Sequence, residues 1–168
     1  MSQKPINLLS AYLLLLSCIL SSGCSHKASR DEIALSLWTA ASHARSDGDH
    51  FLAEGKINDA IKEYQKACQL DPSSGQNHYK LAKAYERSGK LDPAIAEYRE
   101  VIKIHYPNPN VAEYGRYHFW LAQALNKKGS REEARTEYSI AYKIASQDKT
   151  HSRKLLGIAQ QAKAFASE

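Results

Sequence analysis

One segment of the chain recurs three times, and this repetition constrains the fold more than any other feature. The copies read GKINDAIKEYQKACQLDP from Gly55, GKLDPAIAEYREVIKIHYP from Gly89 and GSREEARTEYSIAYKI from Gly129. The second copy begins 34 residues after the first, and an alanine and a tyrosine recur at matching places in all three. A period of about 34 residues with small and aromatic residues at set positions is typical of stacked helix–turn–helix units. The sequence therefore predicts an all-α repeat protein.

The overall composition agrees with a helical domain and argues against nucleic-acid binding. The 168 residues suit one modest domain with short appendages, and the 43% hydrophobic fraction is enough for a packed core. The net charge of +5 is mild for this length and is not gathered in a recognisable nucleic-acid-binding motif. We therefore expect no nucleic-acid partner.

The amino-terminal segment has the organisation of a secretory signal peptide. Residues 1–24 read MSQKPINLLSAYLLLLSCILSSGC, in which Lys4 gives a basic start, residues 6–20 are apolar, and small residues follow. The apolar run is shorter than the stretch of about 20 residues that spans a bilayer. We therefore predict a signal peptide over residues 1–23.

The ending LSSGC resembles the lipobox of bacterial lipoproteins, in which the cysteine is acylated and becomes the mature amino terminus. The resemblance implies a lipid anchor on Cys24 and a short tether up to residue 30, and several acyl chains together hold a protein stably on a membrane. Cys18, which follows LLS, is the alternative acylated residue. Ser25 resembles the outer-membrane sorting signal, since an aspartate there would favour the inner membrane. The resemblance thus implies a lipid-anchored outer-membrane protein that faces the periplasm.

The repeats divide the rest of the chain into helix pairs. Apolar residues recur at helical spacing from Ile33 to Leu52, which predicts a long first helix over residues 31–54 whose second half opens the first repeat. Six extra residues precede the third repeat, within 105–114, and either lengthen its first helix or form a protruding loop. The predicted layout is repeats over residues 31–148, at about 41–74, 75–108 and 115–148, and a capping helix over 149–168.

These copies resemble the tetratricopeptide repeat family, whose members have a small residue, an alanine, an aromatic residue, a second alanine and a proline at set positions. The first repeat fills all five, with Gly48, Ala60, Tyr64, Ala67 and Pro72. The second repeat departs with Val101 in place of the second alanine, and the third lacks the proline. The resemblance implies a right-handed superhelical solenoid of three helix pairs with a capping helix at its carboxyl end.

The family also implies a concave groove that is lined by the first helix of each pair. Phe119 and Trp120 matter most, because the core positions nearby are already occupied by leucine and alanine. Trp120 either packs against the neighbouring helices or the insertion, or serves as an exposed anchor for a bound peptide. The carried-over groove positions are basic and aromatic: Arg45, Tyr79, Lys80, Lys83, Arg87, Arg116, Phe119, Trp120 and Gln123.

Some members of the family hold a partner's terminal carboxylate with a clamp of lysines and asparagines. In this sequence Asp49, Lys80 and Trp120 stand where that clamp has Asn, Asn and Arg, so the clamp is not predicted. The basic groove favours instead an extended or helical partner segment with acidic character.

No catalytic, cofactor or metal site is predicted from the sequence. The seven histidines show no ligand spacing on one helix face. Glu63, Glu97 and Glu137 precede the repeat tyrosines, which predicts a solvated face. Cys68 is expected to be a small buried residue on the apolar side of its helix. The chain is therefore expected not to be an enzyme.

Two functions remain open at the level of sequence. The first is a non-catalytic scaffold that docks envelope proteins, for which the resemblance suggests components of secretion or pilus assembly, or cell-wall enzymes. The alternative is a lipoprotein that binds the cell wall or another anionic polymer without a dedicated protein partner. The binding surface is either the groove or the insertion at 105–114.

Overall fold

The computed structural model describes residues 29–105 and 111–147, together with Gly157, Gln160, Gln161 and Ala164. The predicted signal peptide and Cys24 lie outside these residues, as does the predicted capping helix except for those four helical positions. Within the described ranges no helix has both the length and the apolar character needed to cross a membrane. These ranges contain six helices and no strand: α1 Arg30–Ala53, α2 Ile57–Leu70, α3 Gly75–Arg87, α4 Leu91–His105, α5 Val111–Lys128 and α6 Arg131–Gln147. The predicted all-α class is confirmed.

The chain divides into two units, residues 1–35 and residues 36–168. In the first unit, the described residues form the start of α1. The Ser29 hydroxyl accepts a hydrogen bond from the Glu32 backbone N–H at 3.2 Å, and the Glu32 carboxylate accepts one from the Ser29 N–H at 2.8 Å. This reciprocal capping box satisfies two backbone donors that have no partner within the helix.

The predicted long first helix is confirmed as α1, and residues 36–53 of this helix, which belong to the second unit, bury their apolar face only in part. Ala41, Ala44 and Gly48 are buried, whereas Leu37 and Trp38 are 42% and 58% exposed. The reason is length, because α1 has 24 residues and its antiparallel partner α2 has only 14. At about 1.5 Å per residue, α2 ends before it reaches the level of Trp38.

Each repeat turns at a glycine with a left-handed backbone. Gly55, Gly89 and Gly129 have φ values of 76°, 77° and 90°. After each glycine, the next amide donates a hydrogen bond of 2.9–3.0 Å to the carbonyl five residues earlier, as Lys56 does to Phe51. This arrangement closes the first helix of each pair, and a side chain at the glycine would strain the backbone.

The core lies between the two helices of each pair and between successive pairs. The first pair packs most closely at Gly48, where a Cβ atom would lie 2.6 Å from Cε1 of Tyr64. Glycine is therefore required there because the helices approach too closely for a side chain. The repeat alanines and tyrosines are all buried: Ala60, Tyr64, Ala94, Tyr98, Ala134 and Tyr138.

The insertion before the third repeat lengthens a helix, which was one of its two predicted outcomes. Gly115 corresponds to Gly75, the first residue of α3, yet α5 begins at Val111. As a result α5 has 18 residues where α3 has 13. The added turn places further side chains beside α3, and residues 106–110 lie outside the described part of the chain.

Candidate functional site

The described residues form a pocket of about 580 Å³ between α3, α5 and the end of α4. Four aromatic rings line it, together with one acidic, one basic and one amide side chain. These residues are Tyr79, His105, Tyr117, Trp120, Glu113, Arg116 and Gln76.

The aromatic rings of the pocket contact one another. Tyr79 and Trp120 stack with centroids 4.4 Å apart and an interplanar angle of 28°. The rings of Tyr117 and Trp120 are 5.9 Å apart, and those of His105 and Tyr117 are 4.7 Å apart. Nδ1 of His105 is 2.9 Å from the Val101 carbonyl, which fixes the ring at the end of α4. The pocket therefore has a preformed aromatic wall, since stacked and tilted pairs at these distances are favourable.

Arg116 places a positive charge at the edge of this aromatic wall. Its guanidinium carbon lies 5.8 Å from the centroid of the Trp120 ring, within the range of a cation–π contact. One guanidinium nitrogen donates to the Glu113 carboxylate at 3.2 Å, and the Arg116 side chain is 31% exposed. Its buried Nε has no hydrogen-bond partner within the described residues. Arg116 therefore presents a partly exposed guanidinium group beside the pocket.

A buried carboxylate organises the cations on the neighbouring part of α3 and α5. Glu86, whose side chain is 6% exposed, accepts hydrogen bonds from Lys83 at 2.9 Å, from the Tyr98 hydroxyl at 2.9 Å and from Lys127. Burial alone would raise the pKa of Glu86, but the two ammonium groups and the Tyr98 hydroxyl outweigh it and lower the pKa to about 2. Glu86 therefore ties α3 to α4 and to the next repeat as an anion at neutral pH.

The first repeat contains a related arrangement around Asp49. The Asp49 carboxylate accepts from the Tyr64 hydroxyl at 2.6 Å and from Lys80 at 2.8 Å. Burial acts to raise the pKa of Asp49, but Lys80 and Tyr64 outweigh it and hold the pKa below its ordinary value. In both repeats an acid on the first helix thus joins the repeat tyrosine to a lysine of the following repeat.

The structure places three of the nine sequence-predicted groove residues on the pocket wall and two more at the neighbouring carboxylates. Tyr79, Arg116 and Trp120 line the pocket, and Lys80 and Lys83 lie at the carboxylates just described.

Three other predicted groove residues stand apart from the pocket wall. Arg45 donates to the side-chain oxygen of Asn77 at 3.0 Å, Arg87 is exposed, and Gln123 is half-buried.

The assignment of Phe119 to the groove is wrong. Its side chain is 6% exposed and packs edge-on against Tyr138 of α6, with ring centroids 5.7 Å apart. Consecutive residues of an α-helix point about 100° apart, since a turn takes 3.6 residues. With Trp120 turned toward α3, Phe119 faces the core.

Sequence reasoning missed four residues of the pocket, namely Gln76, His105, Glu113 and Tyr117. Glu113 and Tyr117 share a helix face with Arg116 and Trp120, because these four positions follow the three-and-four spacing of a helix. This spacing is present in the sequence, but it places the four residues on one helix face only if α5 begins before Gly115.

A second cluster contains metal-ligand side chains from three helices. Cys68 of α2, His78 of α3 and Glu97 of α4 have ligand atoms that all lie within 4.8 Å of one another. Nδ1 of His78 is 2.6 Å from the Glu97 carboxylate, and Nε2 is 3.1 Å from the Pro72 carbonyl. Contact with the Cys68 sulfur, then with Glu97, raises the pKa of His78 to about 10.

The glutamates before the repeat tyrosines were predicted to form a solvated face, and for two of them this is wrong. The Glu97 and Glu137 side chains are 23% and 22% exposed, and each carboxylate is 2.6 Å from a histidine, His78 and His118 respectively. The described residues contain one group of three metal-ligand side chains, at Cys68.

Comparisons with known proteins agree with the repeat structure. A sequence model described as TPR repeat matches residues 48–89, and one described as tetratricopeptide repeat matches residues 79–149. Residues 48–149 belong to the tetratricopeptide repeat family. The tetratricopeptide repeat and J domain-containing co-chaperone DNJ1 of Cryptococcus neoformans is 30% identical over 98 residues, which is 58% of this chain and 18% of the co-chaperone. The chain spans no more than 18% of the length of the curated relatives it matches.

Solved structures superpose on the chain at low sequence identity. The first TPR domain of Spaghetti (RPAP3), bound to an HSP90 peptide SRMEEVD, has a TM-score of 0.56 and 21% identity, over 74% of this chain and 94% of that one. The Yersinia enterocolitica type III secretion chaperone SycD, in complex with a peptide of the translocator YopD, has a TM-score of 0.57 and 23% identity, over 73% and 92%. These likenesses confirm the fold.

Proposed function

We propose that this tetratricopeptide repeat protein is a non-catalytic scaffold that holds a segment of a partner protein against α3 and α5. The proposal rests on the aromatic pocket and on Arg116 at its edge. Binding energy at protein interfaces concentrates where aromatic and arginine side chains surround a pocket that an anchor residue fills. A volume of about 580 Å³ is large enough for such an anchor together with part of its backbone.

The charges around the pocket favour a partner segment with acidic residues. Three carboxylates of α1, α3 and α5 lie at or near this surface, one of them buried, and six cations lie near the same groups, so cations remain in excess. The carboxylates are Asp49, Glu86 and Glu113, and the cations are Arg45, Lys80, Lys83, Arg87, Arg116 and Lys127. Charge complementarity of this kind steers association and selects partners. The peptide complexes named above for two structural neighbours support a peptide ligand for this chain as well.

The partner is proposed to be a protein of the bacterial envelope. This part of the proposal rests on the lipobox-like ending at Cys24, which implies acylation there, and on Ser25, which implies sorting to the outer membrane. A lipid-anchored scaffold that faces the periplasm would dock secretion or pilus assembly components, or cell-wall enzymes, close to the membrane.

Peptide binding can be tested with the fluorescence of Trp120. The chain has two tryptophans, so the Trp38→Phe variant leaves Trp120 as the only one. The full chain, purified in a mild detergent, would be titrated with synthetic peptides of equal length: acidic with one phenylalanine, basic with one phenylalanine, and acidic with alanine at that place. We expect the acidic peptide with the phenylalanine to bind most tightly and to shift the Trp120 emission.

The same titration includes a triple variant in which Lys80, Lys83 and Arg116 are alanine. The proposal requires this variant to bind the acidic peptide more weakly than the parent does. Equal binding by the variant, or equal binding of the acidic and basic peptides, would refute an acidic partner in the groove. Retention on isolated cell wall without peptide binding would support the polymer-binding alternative.

Lipid anchoring is tested by metabolic labelling with palmitate in a bacterial host. Label should be incorporated into the wild-type chain and into Cys18→Ala, and should be lost from Cys24→Ala. The labelled chain should also sediment with the outer membrane. If the label were retained in Cys24→Ala and lost from Cys18→Ala, Cys18 would be the acylated residue.

A further inference from the structure

Cys68, His78 and Glu97 come from three successive helices of two repeats and meet at one point. The Cys68 sulfur, a His78 ring nitrogen and a Glu97 carboxylate oxygen all lie within 4.8 Å of one another. Thiolate, imidazole and carboxylate are the three ligand types that zinc takes from proteins, and in a tetrahedral site such atoms are about 3–4 Å apart. Small rotations of these side chains would therefore bring all three onto one ion.

The surroundings of His78 suit a metal ligand. Its Nε2 is 3.1 Å from the Pro72 carbonyl, which accepts only from a protonated nitrogen. When Nε2 carries the proton, the Nδ1 lone pair points to the side where Glu97 and Cys68 lie. A ligating histidine commonly donates its other N–H to a carbonyl or carboxylate in this way, which fixes the ring and its tautomer.

The next repeat supplies an internal comparison. His118 and Glu137 form the equivalent pair, with the same distance of 2.6 Å, but the position equivalent to Cys68 is Ile102. In that pair Nε2 of His118 is buried and has no hydrogen-bond partner among the described residues. The His–Glu pair therefore occurs in both repeats, whereas within the described residues a thiol and a carbonyl partner are found only around His78.

We infer that Cys68, His78 and Glu97 bind a transition-metal ion of the zinc class, which joins α2, α3 and α4. The three protein ligands leave a fourth position of a tetrahedral site for water. Binding displaces the proton shared by His78 and Glu97 and the proton of the thiol, since the ligands must be deprotonated. The ion would fix the junction between the first and second repeats.

The site can be tested with Co²⁺ as a spectroscopic probe for Zn²⁺. The full chain, purified in a mild detergent and freed of metal with a chelator, would be titrated with Co²⁺. We expect a thiolate-to-cobalt charge-transfer band that saturates at one equivalent, disappears when Zn²⁺ is added, and is absent in Cys68→Ile. That variant carries the side chain that the chain itself has at Ile102, and it changes no other cysteine.

A matched pair of variants separates ligation from packing. Glu97→Gln and Glu137→Gln remove carboxylates of nearly equal exposure from identical histidine contacts. Glu97→Gln should weaken Co²⁺ binding by about tenfold or more, and Glu137→Gln should leave it unchanged. Zn²⁺ should raise the Tm of the wild-type chain and of Glu137→Gln, but not that of Cys68→Ile. The inference is overturned if the wild type shows no charge-transfer band, if Cys68→Ile binds as well as the wild type, or if both glutamine variants bind equally weakly.

Discussion

The indole ring of Trp120 stacks on the phenol ring of Tyr79, with centroids 4.4 Å apart. The two residues belong to the first helices of successive repeats, so this contact exists only because the repeats are stacked. The same stacking encloses the pocket between α3 and α5. The candidate binding surface is therefore a property of the array and not of any single repeat.

Trp120→Ala should remove part of the aromatic wall of the pocket. Binding of the acidic phenylalanine peptide should fall by about tenfold or more, because central aromatic residues of an interface dominate its binding energy. The chain should remain folded, since Trp120 packs at the edge of the core and is only partly buried. Fluorescence-labelled peptide in an anisotropy titration measures the first effect, and thermal melting measures the second.

Trp38→Ala is the matched control for that experiment. Trp38 is 58% exposed on α1 and lies outside the pocket. Peptide affinity should be unchanged in this variant. If the two alanine variants lost affinity equally, the binding site would lie elsewhere than the pocket.

Arg116→Lys should give an intermediate loss of peptide binding. The lysine keeps the positive charge, but it loses the planar contact with Trp120 and the forked donors that suit a carboxylate. Affinity for the acidic peptide should fall by about threefold, in line with an exposed cation–π contact. Arg116→Ala should lose more. Equal affinities of the lysine variant and the wild type would show that only the charge of Arg116 matters.

Gly48→Ala should destabilise the first helix pair. The added Cβ would lie 2.6 Å from the fully buried ring of Tyr64, and the Tyr64 hydroxyl is held by Asp49. Overpacking of this kind costs about 1–3 kcal/mol in free energy of unfolding. In Gly115→Ala the nearest atom is a methyl carbon of Ile144 at 3.1 Å, which can rotate away. Circular dichroism melts should therefore show a larger loss for Gly48→Ala, and the reverse order would contradict the close-approach argument.

The repeat pattern predicted the fold well because its positions are enforced by packing. Gly55, Gly89 and Gly129 had to be turn residues, and Tyr64 and its equivalents had to be buried, whatever the chain binds. These are requirements of any stack of such repeats. A pattern that recurs in each repeat therefore reports on the shared architecture.

The candidate sites were harder to predict because they arise between repeats. Phe119 was placed in the groove, yet it is buried, since sequence alone does not give the rotation of α5. Cys68, His78 and Glu97 show no ligand spacing because each lies on a different helix. The repeat pattern gives no signal at Cys68 either, because the equivalent positions in the other two copies are Ile102 and Tyr142.

In the Glu86→Gln variant, the free energy of unfolding should vary less with pH in the acid range than it does in the wild type. The pKa of Glu86 falls from its ordinary value of 4.5 to about 2 on folding, because Lys127, Lys83 and Tyr98 outweigh the effect of burial. A carboxyl with a lowered folded pKa stabilises the protein above its unfolded pKa, and this contribution disappears as the pH falls through the folded pKa. At pH 7 the variant should lose about 2 kcal/mol in free energy of unfolding, and its difference from the wild type should shrink between about pH 5 and pH 2. Asp49→Asn is the control, because Asp49 also has a lysine and a tyrosine as partners. Since the Asp49 side chain is 45% exposed, this variant should lose less free energy of unfolding than Glu86→Gln does. A Glu86→Gln deficit that stays constant from pH 7 to about pH 2 would mean that the charge of Glu86 contributes nothing to stability and that the amide only disturbs the packing.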